Sequence, residues 1–438
     1  VLLIAEAANP EWTSVPLEGW SHSMAIRELV DGHIVTQIRN RDAFVRAGLI
    51  ENRDFTAIDS ERIARPMWKL ATMLRGGNEL GWTTMQALAP ISYAYFERLV
   101  WKRFRDQIHS HEFDVVHRLT PLSPTTPSLL AKRCARAGVP FVIGPLNGGV
   151  PWPKWFDAER RQEKEWLSPF RSAYRLLPGH RATLRHSAAI IAGSRDTMQQ
   201  LPSEYAEKTH YVAENAIDPA RFGFERSRQP SLPLQLLFVG RLVPYKGADM
   251  AIEAAEPMLA TGRAELTIVG DGPQRAALQS LSARSAAPHR IHFTGQVPHE
   301  KVAAYFAGSD VFVFPSIREF GGAVVLEAMA MGTVPIVVNY GGPAELVTRD
   351  TAYTLEIGQR DQIVNSLRST LENIASNPSA LLQKSNAGRD RVFANFTWQA
   401  KARQVLDVYH KVLGRQTAGF IPAETSPAAH PSIRTSTV

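Results

Sequence analysis

Two glutamates eight positions apart, Glu319 and Glu327 in "PSIREFGGAVVLEAMAMG", stand in different settings, one beside glycines and one inside an apolar run. From Ala323 to Met331 nearly every residue is apolar and helix-compatible, with Gly332 to stop the helix and Pro335 just beyond. Glu327 is the sole charge of that predicted helix. An ionised carboxylate there needs donors, and within the first turns it also gains from the helix dipole. Glu319 lies outside, in the preceding loop.

A second pair is cationic. In "FVGRLVPYKG", Arg241 follows a predicted strand directly and Lys246 comes five residues later, before a helix starting near Ala248. Two cations beside a helix N-terminus can hold a diphosphate; two solvated surface charges are the plainer account. If they hold a diphosphate, Phe320, Gly321 and Gly322 on a facing strand end offer backbone N–H groups, because glycine lets the chain approach closely. Glu319 then accepts from sugar hydroxyls and Glu327 from a ribose diol, against plainer roles as a loop charge and a structural carboxylate. "IVGDGPQRAAL" gives a tight turn at Gly270 and Gly272 with Pro273 at a helix start. It lacks the third glycine of a dinucleotide fingerprint, which speaks against NAD.

The elements that must position these groups form two alternating strand and helix series. The first has apolar runs at "VLLIAEA", "GHIVTQI", "DVVHRL", "PFVIGPL", "AAIIAGS" and "THYVAEN", with helical stretches such as "SHSMAIRELV" and "PSLLAKRCARAG" between them. The second runs through "LQLLFVGR", "ELTIVGDG", "IHFTG", "DVFVFPS" and "VPIVVNYGG". Continuous apolar runs suit parallel strands covered on both faces, so the fold class is α/β with two doubly wound, Rossmann-like domains. Periodicity lapses in "NAIDPARFGFERSRQPSLP". The expected division is residues 1–214, residues 215–396, a C-terminal helix over 397–414 that returns to the first domain, and a disordered tail over 415–438.

At 438 residues the chain is too long for one ordinary core. Its single cysteine, Cys134, excludes an intrachain disulfide and fits a reducing compartment. No uncharged run approaches the roughly 20 apolar residues that span a bilayer, and the chain opens on a strand without a basic leader, so a cytoplasmic setting is expected. The net charge of +7 is shared by both halves, which argues against a nucleic-acid face. No Asp-x-Asp and no clustered His/Cys set marks a strand end, so neither a metal nor a cofactor is expected.

The motifs "FVGRLVPYKG", "TIVGDGP" and "FTGQVPHEKVAAYFAGSDVFVFPS", with the Glu-x7-Glu of "EFGGAVVLEAMAMGTVPIVV", occur in this order over about residues 212–350. This region resembles the retaining family 4 glycosyltransferases of the GT-B fold, in which two such domains face each other across a cleft. The resemblance implies metal-independent transfer of a sugar from a UDP- or GDP-linked donor with retention at the anomeric carbon. It implies that Arg241 and Lys246 neutralise the leaving diphosphate, that Glu319 with Phe320 to Gly322 holds the sugar, that Glu327 binds ribose, and that Val297 meets the base through its backbone.

The amino-terminal half matches more loosely. "LEGWSHSMAIREL" resembles the family's glycine-containing first loop, which would bring Gly19 near the phosphates. In "GPLNGG", Asn147 stands where many members carry a histidine that contacts the donor sugar; an amide still donates and accepts but carries no charge. Asn147 also reads as a plain turn residue. His117 in "DVVHRL" reads as a packed strand-end histidine rather than a base.

The acceptor is open between a glycan, a lipid-linked group and a small molecule. "ISYAYFERLVWKRFRDQI" reads as a helix with Tyr95, Leu99, Phe104 and Ile108 on an apolar side and Arg98, Lys102 and Arg105 on a basic one. That is compatible with peripheral contact at the inner face of a membrane, although an ordinary domain helix explains it more simply. The aromatic stretch "VPWPKWFDAERRQEKEW" either shapes an acceptor pocket or covers the sheet. The alternatives to a transferase are a nucleotide-sugar epimerase of the same fold and a noncatalytic sugar-nucleotide-binding subunit.

Overall fold

The computed structural model describes residues 1–67, 82–163, 179–223 and 229–415, with residues 82–89 by backbone only. The first sheet contains β1 (Leu2–Ala5), β2 (His33–Gln37), β3 (Phe55–Ile58), β4 (Val116–Thr120), β5 (Phe141–Leu146), β6 (Ala189–Ala192) and β7 (Thr209–Tyr211), in the spatial order β3-β2-β1-β4-β5-β6-β7. The second contains β8 (Leu234–Val239), β9 (Ala264–Val269), β10 (Ile291–Gly295), β11 (Val311–Phe314), β12 (Val334–Val338) and β13 (Tyr353–Leu355), in the order β10-β9-β8-β11-β12-β13. Every pairing is parallel.

The apolar runs account for this. "LLIA" of β1 and "VPIVV" of β12 are buried along their whole length, as central strands with helices on both faces must be. In each sheet the strand order reverses beside the first strand, between β1 and β4 and between β8 and β11. Such a switch point leaves a crevice beyond the carboxyl ends of the strands, where the candidate residues fall.

Two strands escape the reading of apolar runs. β3 and β13 are both sheet edges, short and only partly buried, so neither needs a continuous apolar run.

The helix Trp82–His109 buries Tyr93, Phe96, Val100, Phe104 and Ile108 in the first domain's core beside Leu130, Cys134 and Phe141. The expected apolar side is therefore rotated: Tyr95 and Leu99 lie at its margin, half-buried, while Arg98, Lys102 and Arg105 are exposed. Glu97, also buried on this face, accepts from the Ser128 hydroxyl and, at 2.6 Å, from the Leu129 N–H at the start of helix Leu129–Ala137. The apolar face is thus consumed by the protein's own core. Among the described residues no helix is long and apolar enough to cross a membrane.

The helix Trp398–Val412 packs on helix Val15–Arg27 of the first domain, and its Tyr409 hydroxyl lies 2.6 Å from His117 Nδ1. Residues 416–438 of the predicted tail, residues 224–228 of the expected interdomain stretch and the end of the aromatic stretch beyond residue 163 lie outside the described residues.

Candidate active site

β8 ends at Val239, and the chain turns through Gly240 into Arg241. The neighbouring turn after β9 is pressed against it: a side chain at Gly270 would start 2.0 Å from the Gly240 carbonyl oxygen, and one at Gly272 would start 2.5 Å from that of Leu242. Glycine at 270 and 272 therefore serves close packing of two loops. Between the loops and the "GQV" segment after β10 opens a cavity of about 710 Å³ lined by Arg241, Asp271, Pro273, Gln296 and Val297 among others. Arg241 and Val297, expected at the diphosphate and the base, share this cavity. Arg241 is exposed and has no hydrogen bond or ion pair among the described residues.

Lys246 closes a short turn, Pro244–Lys246, before helix Ala248–Ala260. Gly247 lets that turn close: its φ is 75°, and a side chain there would start 2.7 Å from the Pro315 carbonyl oxygen. Lys246 is largely buried, sits 5.1 Å above the Phe314 ring, and forms an ion pair with Glu319. The two residues expected on different parts of a donor thus meet each other across the ends of β8 and β11.

The loop Glu319–Gly322 leads into helix Ala323–Ala330, whose N-cap is Gly322 at φ 65°. No side chain caps this end; Val325 N–H donates to the Gly322 carbonyl oxygen at 2.8 Å, while those of Ala323 and Val324 have no partner among the described residues. Behind the loop stands a support that the sequence reading missed. Gly342 N–H donates to the Glu319 carbonyl at 2.9 Å, and a side chain at Gly342 would start 1.6 Å from the Phe320 carbonyl oxygen. The signal was the glycine pair in "NYGGP", read only as the end of a strand.

Glu327 lies one turn into the helix, beyond its free N–H groups, and finds a different partner. His299 Nε2 is 2.9 Å from Glu327 Oε1, while His299 Nδ1 is 2.6 Å from the Arg221 guanidinium. Guanidinium only donates, so Nδ1 accepts, and Nε2 carries the proton that Glu327 receives. This chain of three fixes the Glu327 carboxylate. His299, in "VPHEK", was not singled out from the sequence.

Two expectations for the first domain are corrected or sharpened. Gly19 is not in a loop: it lies inside helix Val15–Arg27, where a side chain would start 2.2 Å from the Ala7 carbonyl oxygen, so its place is fixed by the approach of that helix to the loop after β1. Asn147 follows β5, its N–H donating to Leu122 O at 2.7 Å, its Oδ1 accepting from Gly149 N–H at 2.9 Å, and its Nδ2 donating to Glu214 Oε1 at 3.1 Å. His117 is the packed residue anticipated. It is fully buried between Tyr409 and the Gly144 carbonyl oxygen, and burial pushes its pKa down to about 3.

The two domains touch around this site. Arg318 donates to the Val150 carbonyl at 3.0 Å and lies 4.8 Å above the Trp152 ring, and the Tyr340 hydroxyl donates to the Pro151 carbonyl at 3.1 Å. Phe156, from the same aromatic stretch, is buried in the second domain's core. The described part of that stretch therefore spans the cleft beside Lys246 rather than covering its own sheet. Glu345 accepts from Arg195 N–H across the same divide, at 2.9 and 2.8 Å. No group of three His, Cys, Asp or Glu side chains placed to hold a metal occurs among the described residues.

Residues 222–385 match the family model described as glycosyl transferases group 1. The 2-deoxystreptamine glucosyltransferase of Streptomyces kanamyceticus is 30% identical over 254 residues, which cover 54% of this chain and 64% of that protein; the chain thus spans less than two thirds of this relative. The GDP-mannose-dependent alpha-mannosyltransferase of Mycobacterium tuberculosis is 29% identical over 312 residues, covering 69% of this chain and 74% of that one. Among solved structures, a glycosyltransferase from Rickettsia africae superposes with a TM-score of 0.59 at 15% identity over 95% of this chain and 99% of its own, a likeness of fold. Two parallel-sheet domains and the superposition show the GT-B fold, and the second of these domains carries the match to glycosyl transferases group 1.

Proposed function

We propose that the protein transfers a sugar from a nucleotide-diphosphate donor to an acceptor hydroxyl, with retention of anomeric configuration and without a metal ion. The observation that carries this is the convergence of Arg241, Lys246 and the uncapped start of helix Ala323–Ala330 at the strand ends of the second domain. As the bond from sugar to diphosphate breaks, negative charge grows on the leaving group, and preset cations and N–H groups stabilise that state more than the ground state. In this reading they do the work that a metal does elsewhere, the cavity beside Arg241 and Val297 takes the base, and Glu327 takes the ribose. Glu319, paired with Lys246, faces the sugar. The aromatic bridge across the cleft keeps water from the donor.

The relatives named above differ in the sugar they move, so the donor is left as a UDP- or GDP-sugar and the acceptor as a glycan, a lipid-linked intermediate or a small molecule. A membrane role would fall to the exposed basic face of Arg98, Lys102 and Arg105 alone, since the apolar face is occupied. The test is incubation with a panel of UDP- and GDP-sugars, with and without envelope lipid extract, in the presence of EDTA. Free nucleotide diphosphate with an α-linked product from an α-linked donor supports the reading. An isomerised donor identifies an epimerase, binding without turnover a noncatalytic subunit, and activity restored only by magnesium or manganese removes the metal-free mechanism.

A further inference from the structure

Three buried ionisable groups meet beneath the cleft, and the mechanism above uses none of them. Glu18 on helix Val15–Arg27, Lys401 on helix Trp398–Val412 and Glu214 just after β7 are 9%, 2% and 8% exposed. Lys401 Nζ stands 3.9 Å from Glu18 Oε1 and donates to the Glu214 carbonyl oxygen. Burial pushes both carboxyl groups up and the lysine down, and Glu18 and Glu319 push Glu214 further. Two largely buried carboxyl groups served by one ammonium cannot both stay ionised without heavy cost, and burial with Glu18 and Glu319 nearby favours the protonated form of Glu214.

Glu214 links this cluster to the cleft. Its Oε1 accepts from Asn147 Nδ2 and lies 3.6 Å from where a side chain at Gly321 would start, against the loop that faces the donor. The adjacent Asn215 amide fills the space beside Gly321, only 1.8 Å from that same point. Glu214 Oε2 is buried and has no hydrogen-bond partner among the described residues. It lies 3.3 Å from where a side chain at Gly193 would start, past the end of β6, and an unpaired buried oxygen there is free to take a donor.

We propose that Glu214, with Asn147 as its partner, is a specificity-determining residue for the transferred sugar, hydrogen-bonding a hydroxyl of that sugar from the first-domain side of the cleft. The inference rests on the nucleotide-sugar reading above. A hydroxyl both donates and accepts, and a protonated carboxyl beside an amide offers both in return. A carboxylate in this position would be repelled by the donor's diphosphate; a neutral carboxyl is not, and an arriving anion favours the protonated form.

The test is calorimetric titration of UDP, GDP, UDP-glucose and GDP-mannose into the wild type, Glu214→Gln and Glu214→Ala, with circular dichroism to confirm folding. The quantity read is the ratio of the affinity of a sugar nucleotide to that of its bare nucleotide. Glu214→Ala is expected to bind the bare nucleotide within about twofold of wild type and to lose about tenfold or more in the ratio for the preferred sugar. Glu214→Gln, which keeps the shape and lack of charge, is expected to hold the ratio within about threefold. An unchanged ratio in Glu214→Ala overturns the proposal. So does a loss in Glu214→Gln as deep as in Glu214→Ala, which would assign the role to the charged form. A wild type that binds none of the four probes overturns the nucleotide-sugar reading itself, an outcome distinct from either.

Discussion

The ion pair between Lys246 and Glu319 ties the chemistry of two residues that the sequence presents as separate. Glu319 compensates the ammonium; in the proposed mechanism a diphosphate would compete for it and the sugar would then inherit the carboxylate. Glu319→Gln is therefore expected to lower turnover at saturating donor while leaving binding of bare nucleotide diphosphate equal or tighter, because Lys246 loses its internal partner. Glu327→Gln should behave otherwise. Its proposed ribose contact does not change during reaction, so its loss weakens donor and bare nucleotide alike, by about 1–3 kcal/mol. Saturation kinetics beside calorimetry separates the two patterns. Equal weakening of nucleotide binding in both variants would contradict the division of roles.

At the scale of elements, the loop Glu319–Gly322 works only because Gly341 and Gly342 stand behind it. A side chain at Gly342 would overlap the Phe320 carbonyl oxygen, so Gly342→Ala must shift the loop. A displacement of this kind is expected to cost on the order of a hundredfold in turnover, with the protein still folded by circular dichroism. Wild-type rates would show the loop to be passive. This support also marks where the sequence stops being legible. Strand and helix types along the central strands could be read because each is a continuous apolar run, and the places of Arg241, Lys246 and Glu319 after strand ends and of Glu327 inside a helix because motif spacing fixes them. β3 and β13 could not be read, because edge strands need no such run. Gly342, His299 and Glu214 could not, because each acts through a neighbour far away in the chain. Gly19 was misplaced because Pro16 starts its helix earlier than the apolar pattern does.

At the scale of the whole molecule, helix Trp398–Val412 ties the end of the described chain to the first sheet, with Tyr409 against His117. His117 is held neutral, its pKa pushed down by burial from an ordinary value near 6.5 to about 3. The unfolded chain binds the proton more readily, so this group opposes unfolding fully above pH ~6.5 and loses that contribution as pH falls toward about 3. His117→Gln should flatten the decline of the melting temperature over that acid range; an unaltered slope would contradict the assignment. The central claim, that Arg241 and Lys246 hold the donor's diphosphate without a metal, is tested most directly by calorimetric titration of UDP and GDP in EDTA into the wild type, Arg241→Ala and Lys246→Ala. The wild type is expected to bind one of them and each variant to lose about 1.5–3 kcal/mol of binding, the worth of a hydrogen bond to a charged group, while remaining folded. Wild-type affinity in both variants, or binding by the wild type only after magnesium or manganese is restored, would contradict it.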